Sequence, residues 1–347
     1  MKRAVTMADV AARAGVSVST VSHVINETRP VSPELRAKVM DAIRSIGYSP
    51  NMVARSLATS DTRLIGIVMS ALTNQFFLPV VAAIDSAGRR HGYSSVLADS
   101  RDRVKDEADA VSLLLGRRVD GIILAPTTND KEVVLDRLAA SGVPTVLIDR
   151  LADPRFDQVG PENVESTAML VEHLATAGHK KIAFISGISG LTTTAERVRG
   201  YRLGLERCNL PFRRQFLRTG HSAAREAEAA VTRLLESSDK PTAIISGNNF
   251  MTIGILRALQ RLKINIPEDM AVVSYDDIEF ADVFRPGITA IAQPIKDIAN
   301  LAVQLLIDRI RNKGKTSQPQ TYILPTRFIH RDSCGCSTYS ASEWAPD

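Results

Sequence analysis

From residue 64 onward the chain repeats one pattern, a short β-rich run followed by a stretch with helical spacing. The runs fall at 64–69, 94–97, 121–124, 145–148, 181–185, 242–245 and 271–275. Most are apolar at successive positions, whereas a strand with one wet face alternates. Such runs belong to parallel sheets covered by helices on both faces, hence to an α/β fold. Four runs precede residue 160 and three follow it, in a chain of 347 residues that exceeds one ordinary domain. The expectation is two Rossmann-like lobes with a cleft between them, ligand lying beyond the carboxyl ends of the strands.

Polar residues at those strand ends therefore carry most of the functional information. Asp149-Arg150, Asn248-Asn249 and Asp276-Asp277 each follow a run. Any one of them reads equally well as a cap of the next helix, but together they set several donors and acceptors on one rim. Phe76-Phe77 opens a helix and reads first as core. Arg197, within Thr193-Thr194-Ala195-Glu196-Arg197, reads by itself as half of a surface ion pair.

The first sixty residues have a different character. They hold eight Lys/Arg against four Asp/Glu, so most of the chain's net charge of +5 lies there, as expected of a segment with a polyanionic partner. Thr6-Met7-Ala8-Asp9 has the form of a capping box, helical spacing runs through Val10, Ala11 and Ala14, and Gly15 ends it with a residue tolerant of positive φ. Ser17 caps a second helix, 18–25, in which Val21, Val24 and Ile25 share one face while Val18, Ser19, Ser22 and His23 lie largely on the other. A third helix starts at Ser32-Pro33, turns Leu35, Val39, Ile43 and Ile46 inward and stops at Gly47. Two short helices about a glycine turn make a helix-turn-helix. A three-helix bundle with no nucleic-acid role would show the same pattern. Short polar side chains on the outer face favour close approach to DNA, and His23 and Arg29 can donate to phosphates or purine acceptors.

The residues Asp9-Val10-Ala11, Ala14 through Asn26, Val31-Ser32-Pro33 and Gly47-Tyr48-Ser49-Pro50-Asn51 closely resemble the headpiece of the lactose/galactose-repressor (LacI/GalR) family. The likeness then covers essentially the whole chain, and the stretch with His23 and Thr28-Arg29 is most similar to the purine-repressor branch. The resemblance implies an all-α helix-turn-helix headpiece joined to an α/β, periplasmic-binding-protein-like core of two Rossmann-like lobes. It implies base contacts from Val18, Ser19, His23 and Arg29, and backbone contacts from Thr20 and Ser22, with Thr6, Ser17 and Asn26 on the same DNA-facing surface. It makes 51–58 a hinge helix, too short to stand alone, started by Asn51, with Leu57 as a minor-groove wedge and Ala54 beside it. It implies a homodimer (or a pair of dimers) on near-palindromic operator DNA, and effector contacts from Phe76, Phe77, Arg150, Arg197, Asn248 and Asp276. The purine-repressor branch has an aromatic residue where Arg150 stands and an arginine where Leu191 stands, and Asn249 replaces an aspartate common in relatives. A sugar or sugar acid is therefore expected rather than a purine. The expected domains are a headpiece over 1–50, a hinge over 51–60, an effector and dimerisation domain over 61–332 and a tail over 333–347. The lobes would comprise roughly 61–160 plus 290–320, and 161–289 plus 321–332.

Other chemistry finds little support. No Gly-x-Gly-x-x-Gly or Walker loop follows any run, and Gly187-Ile188-Ser189-Gly190 is not a nucleophile elbow. An enzyme is thus not expected, nor any cofactor. A transporter's solute receptor would account for 61–330 but not for the headpiece. Three cysteines, Cys208, Cys334 and Cys336, suit a reducing compartment. The absence of a signal-like start or an apolar run of about 18–20 residues suits a cytoplasmic protein with no membrane partner. His330, Cys334 and Cys336 lie close together, but no fourth ligand is near them in sequence, so no metal is expected.

Overall fold

Capping chemistry sets the limits of the N-terminal helices. The computed structural model describes residues 5–26, 29–48, 61–72, 74, 76–127, 131–313 and 318–336. Its chain forms two units, Met1–Thr62 and Arg63–Asp347. In the first, α1 (Met7–Ala14) begins at a complete capping box. The Thr6 N–H donates to Asp9 Oδ2 at 2.8 Å, and Thr6 Oγ1 accepts from the Asp9 N–H at 3.4 Å. Gly15, at φ 69°, closes it. Helix α2 (Val18–Asn26) follows Ser17, whose Oγ accepts from the Thr20 N–H at 3.1 Å. Helix α3 (Pro33–Ile46) starts with Ser32 as cap and Pro33 in its first turn. Val10, Ala11, Val21, Val24, Val39, Ala42 and Tyr48 form the core. The inward stripe of α3 is centred on Val39 and Ala42. Ile43 and Ile46 only flank it, and Leu35, expected inward, is half-buried outside the cluster.

The second unit contains two sheets of six strands. The first consists of β1 (Leu64–Met69), β2 (Ser94–Asp99), β3 (Gly121–Leu124), β4 (Thr145–Ile148), β5 (Asp157–Pro161) and β11 (Thr321–Leu324). The second consists of β6 (Ile182–Ser186), β7 (Leu217–Thr219), β8 (Ala243–Ser246), β9 (Ala271–Tyr275), β10 (Thr289–Ala292) and β12 (Arg327–Ile329). Their orders, β11-β5-β4-β3-β1-β2 and β12-β10-β9-β8-β6-β7, repeat one topology, so β4 of one lobe corresponds to β9 of the other. Neighbouring strands are parallel except β10 with β12.

Both sheets are buried on two sides, as their apolar runs require. Helices α4 (Phe77–Arg90) and α11 (Ile295–Arg311) cover one face of the first sheet, α5 (Val104–Gly116) and α6 (Lys131–Ser141) the other. The second sheet lies between α7 (Val164–Thr176) with α8 (Thr192–Arg207), and α9 (Ala224–Leu235) with α10 (Asn249–Arg261).

The chain passes between lobes three times, after β5, after β10 and after β11. Two expected assignments change as a result. Strand β10 belongs to the second sheet, and only after it does α11 return the chain to the first. Strand β11 belongs to the first sheet, although residues 321–332 were expected in the second lobe. Residues 333–336 are no tail either, since Ser333 and Cys334 are fully buried in the second lobe. Among the described residues no helix is long and apolar enough to cross a membrane.

Candidate functional site

The six residues picked out for ligand binding, Phe76, Phe77, Arg150, Arg197, Asn248 and Asp276, line one cleft between the lobes. It encloses about 650 Å³ of atom-free space, part of it open to solvent. Phe76 and Phe77 meet edge to face at 5.1 Å where α4 begins. Phe77 is also core, as its type suggested, while Phe76 is half-buried.

Arg150 follows β4 and is 7% exposed. Its Nη1 donates to Asp102 Oδ1 at 2.6 Å and to the carbonyls of Pro126 and Thr127 at 2.8 and 3.2 Å. Its Nε lies 3.7 Å from Asp149 Oδ2 and makes no hydrogen bond among the described residues. Arg197 is not the surface ion-pair residue its sequence context suggested. It is buried in α8, where Nε donates to Asn163 Oδ1 at 2.8 Å and Nη1 to the Gly247 carbonyl at 2.7 Å. The guanidinium lies 3.6 Å from the centre of the Tyr275 ring, a cation–π contact that fixes its plane. Asn248 does two things at once, lining the cleft and capping α10, where its Oδ1 accepts from the Met251 N–H at 2.8 Å.

Asp276 accepts from Gln293 Nε2 at 2.5 Å and from the Asn249 N–H at 3.3 Å. Asp277, next in sequence, turns away to pair with Arg331 at 2.7 and 3.0 Å. Asp149 and Asp276 follow the corresponding strands β4 and β9, and both have left-handed backbones, φ 64° and 79°. Burial raises the Asp149 carboxyl above its usual range, opposed by the charges of Arg150 and Arg197. Sequence reasoning left out Asp102, Asn74, Ser222 and Gln293, which also line the cleft. Asn74, Asp102 and Ser222 do not follow directly on an apolar run, and Gln293 follows β10, a strand the sequence reading did not pick out. Asn74 further accepts from Asn249 Nδ2 at 2.6 Å, a hydrogen bond from lobe to lobe.

On the headpiece, α2 turns Val21 and Val24 inward and leaves Val18 48% exposed. Ser19 is exposed, and Thr20, Ser22 and His23 are half-buried. The Ser17 hydroxyl lies 2.8 Å from those of both Ser19 and Thr20. The Thr6 hydroxyl donates to Asp9 at 2.7 Å, and Arg29 is exposed beyond α2. The Asn26 side chain and Asn51, Ala54 and Leu57 lie outside the described residues.

The fold also gathers four side chains with ligating atoms, three of which the sequence had already placed close together. Nitrogen atoms of His173, on α7, and His330 and the sulfurs of Cys334 and Cys336 all lie within 4.8 Å of one another. The missing fourth ligand is thus supplied by a residue far away in sequence. Burial holds the His173 imidazole down at about 4, so it is neutral at neutral pH.

Comparison with known proteins agrees with both units. Residues 6–51 match the family described as bacterial regulatory proteins, lacI family, and residues 171–334 match the periplasmic binding protein-like domain. The chain is 34% identical over 311 residues to the HTH-type transcriptional repressor PurR of Vibrio vulnificus (strain CMCP6), covering 89% of this chain and 92% of that one. It is 33% identical over 331 residues to catabolite control protein A of Priestia megaterium, covering 95% and 99%. Among solved structures, the Lac repressor dimer bound to operator and the anti-inducer ONPF superimposes with a TM-score of 0.85 at 29% identity, covering 96% and 99%. The transcriptional regulator CelR in complex with cellobiose does so with 0.72 at 29%, covering 95% and 99%. With a capped helix-turn-helix before a two-lobed α/β cleft, and relatives of this kind along almost its full length, the chain belongs to the LacI family and is a ligand-controlled, DNA-binding transcriptional regulator, not an enzyme.

Proposed function

We propose that this regulator is a repressor whose effector is a neutral, polyhydroxylated sugar held in the interlobe cleft. The charge arrangement of the cleft carries this reading. Arg150 is engaged by Asp102 and two carbonyls, and Arg197 by Asn163 and the Gly247 carbonyl. Three acidic side chains, Asp102, Asp149 and Asp276, line the space against these two guanidiniums. Carboxylates accept from hydroxyls and repel a carboxylate ligand. A sugar acid, as compatible with the sequence as a sugar, is disfavoured by this geometry. The cellobiose complex of CelR supports a carbohydrate.

On DNA, α2 would enter the major groove, Val18 meeting a thymine methyl and Ser19, His23 and Arg29 reaching base edges or phosphates. Two copies would read two half-sites, as the Lac repressor dimer does its operator. Asn51, Ala54 and Leu57 would form the hinge contacts. Ligand would reset the two lobes and so the free energy of ordering that hinge on DNA.

Thermal-shift titration of the full chain with neutral sugars, sugar acids and purine bases tests the ligand class. A neutral sugar at about 100 times its Kd adds roughly 2.7 kcal/mol of stability, whereas a shift confined to purines or sugar acids would overturn the reading. Selection of duplexes from a random pool should yield a near-palindrome whose binding weakens steeply with salt. Asymmetric single sites would contradict the dimer.

A further inference from the structure

We propose that His173, His330, Cys334 and Cys336 form a structural zinc site that fastens the C-terminal segment to the second lobe. His330 Nε2 lies 2.9 Å from Cys336 Sγ and 3.4 Å from Cys334 Sγ. The two sulfurs are 2.9 Å apart, and His173 Nε2 is 3.5 Å from Cys336 Sγ. A tetrahedron with zinc–sulfur bonds of about 2.3 Å and zinc–nitrogen bonds of about 2.0–2.1 Å has edges of roughly 3.3–3.8 Å. Small side-chain movements therefore convert the cluster into a coordination shell.

Local sequence gathers the donors. Gly335, at φ 73°, allows a left-handed turn between the two cysteines, and their sulfurs lie together beside His330. His173 comes from the buried side of α7, its ring 4.9 Å from that of Phe328 and 5.5 Å from that of His330. Cys334 is fully buried, and it and Cys336 belong to an apolar cluster with Leu170, Leu174 and Ile291. Charge suits this setting. Two thiolates offset a divalent cation, so the site is neutral overall and can be buried without an unpaired charge. Thiolate and imidazole donors select zinc over magnesium or calcium. Four protein ligands leave no position for substrate, which is the structural rather than the catalytic arrangement.

Loading the site releases two thiol protons to solvent and joins residues 157 or more positions apart. The bound ion would tie the segment after β12 to α7. That helix starts next to Asn163, whose side chain takes the Nε hydrogen bond of Arg197 in the cleft. The site would therefore steady one wall of the ligand cleft from outside it.

The test is metal analysis by inductively coupled plasma mass spectrometry on the full chain, produced without a histidine tag. We expect about one zinc per chain, falling below about 0.1 in Cys336→Ser and in His330→Ala, both only half-buried. Circular dichroism checks that the variants fold. Cobalt exchanged into the wild type should give thiolate charge-transfer and strong tetrahedral ligand-field bands, both lost in Cys336→Ser. Failure to retain or take up zinc at equimolar concentration would overturn the proposal. So would zinc content unchanged in both variants, or a zinc-free chain two hydrogens light from a Cys334–Cys336 disulfide.

Discussion

Asp149 and Asp276 stand at the same place in two copies of one topology, and each lines the cleft after a sharp left-handed step. Replacing Asp276 with Ala should weaken the sugar by at least about tenfold, the usual loss for a charged hydrogen-bond partner. Calorimetric titration checks this, and an unchanged Kd would place the ligand elsewhere. Glu107 offers a test of a different kind. It is almost fully buried, its Oε2 accepts from the Thr127 N–H at 2.6 Å, and burial raises it from 4.5 to about 7. The folded state thus binds this proton more tightly than the unfolded chain. Its contribution to stability is complete below pH 4.5, declines as pH rises to about 7, and is flat above. Glu107→Gln keeps an acceptor for Thr127 and should remove that slope, gaining about 2–3 kcal/mol above pH 7. Urea unfolding at pH 5 and pH 8 decides it, because parallel wild-type and variant curves would refute the assignment. Arg150 and Asp276 were legible in the sequence because each lies at or beside the end of an apolar run. Arg197 was legible only through the family resemblance, since its burial is made by Asn163, Gly247 and Tyr275, which only the folded chain brings to it.

At the scale of elements, α7 and α8 pack closely because glycines lie at their contact. A Cβ at Gly200 would stand 2.2 Å from the Val164 carbonyl oxygen, and one at Gly204 2.8 Å from that of Ala168. Alanine has a helix propensity better by about 1 kcal/mol, yet Gly200→Ala should destabilise by roughly 2–3 kcal/mol because backbone cannot yield as a side chain does. Thermal denaturation of that variant gives the sign directly. In α2, Val18→Ala removes an exposed side chain, so stability should stay within about 0.5 kcal/mol. Affinity for the selected operator should fall while affinity for scrambled duplex does not, which fluorescence anisotropy on both duplexes can compare. Helices with a cap and a glycine stop were readable to within a residue or two. Of the five strands missed, β10 is apolar and buried but was not picked out, β7 is only three residues long, and β5, β11 and β12 show no apolar run. Strand β5 buries Asp157 and Gln158, and Asp157 is held by Arg309 at 2.6 and 2.9 Å. Strands β11 and β12 are edge strands, partly exposed, with too few buried positions to show a pattern.

For the whole molecule, three chain crossings join the lobes, and hydrogen bonds such as that from Asn249 to Asn74 span them, so their relative setting is the quantity a ligand in the cleft can alter. Saturating sugar should change operator affinity by about 5–150-fold, and operator should change sugar affinity by the same factor. Measuring both legs checks the linkage, and unequal factors would show that the two sites do not share one equilibrium. The two-lobed plan was readable from the spacing of the apolar runs, whereas the points of exchange were not, because a crossing leaves no mark in composition. The crossings also govern the order in which the protein is made. Ile298, Ala299, Ala302, Val303, Leu306 and Ile307 of α11 belong to the core of the lobe that begins at β1. A growing chain that has already emerged through β9 therefore carries a second lobe close to completion and a first lobe with its apolar flank still open. The part synthesised first thus waits for α11, made after most of the newer lobe, and a chain cut short before that helix would leave the older flank exposed.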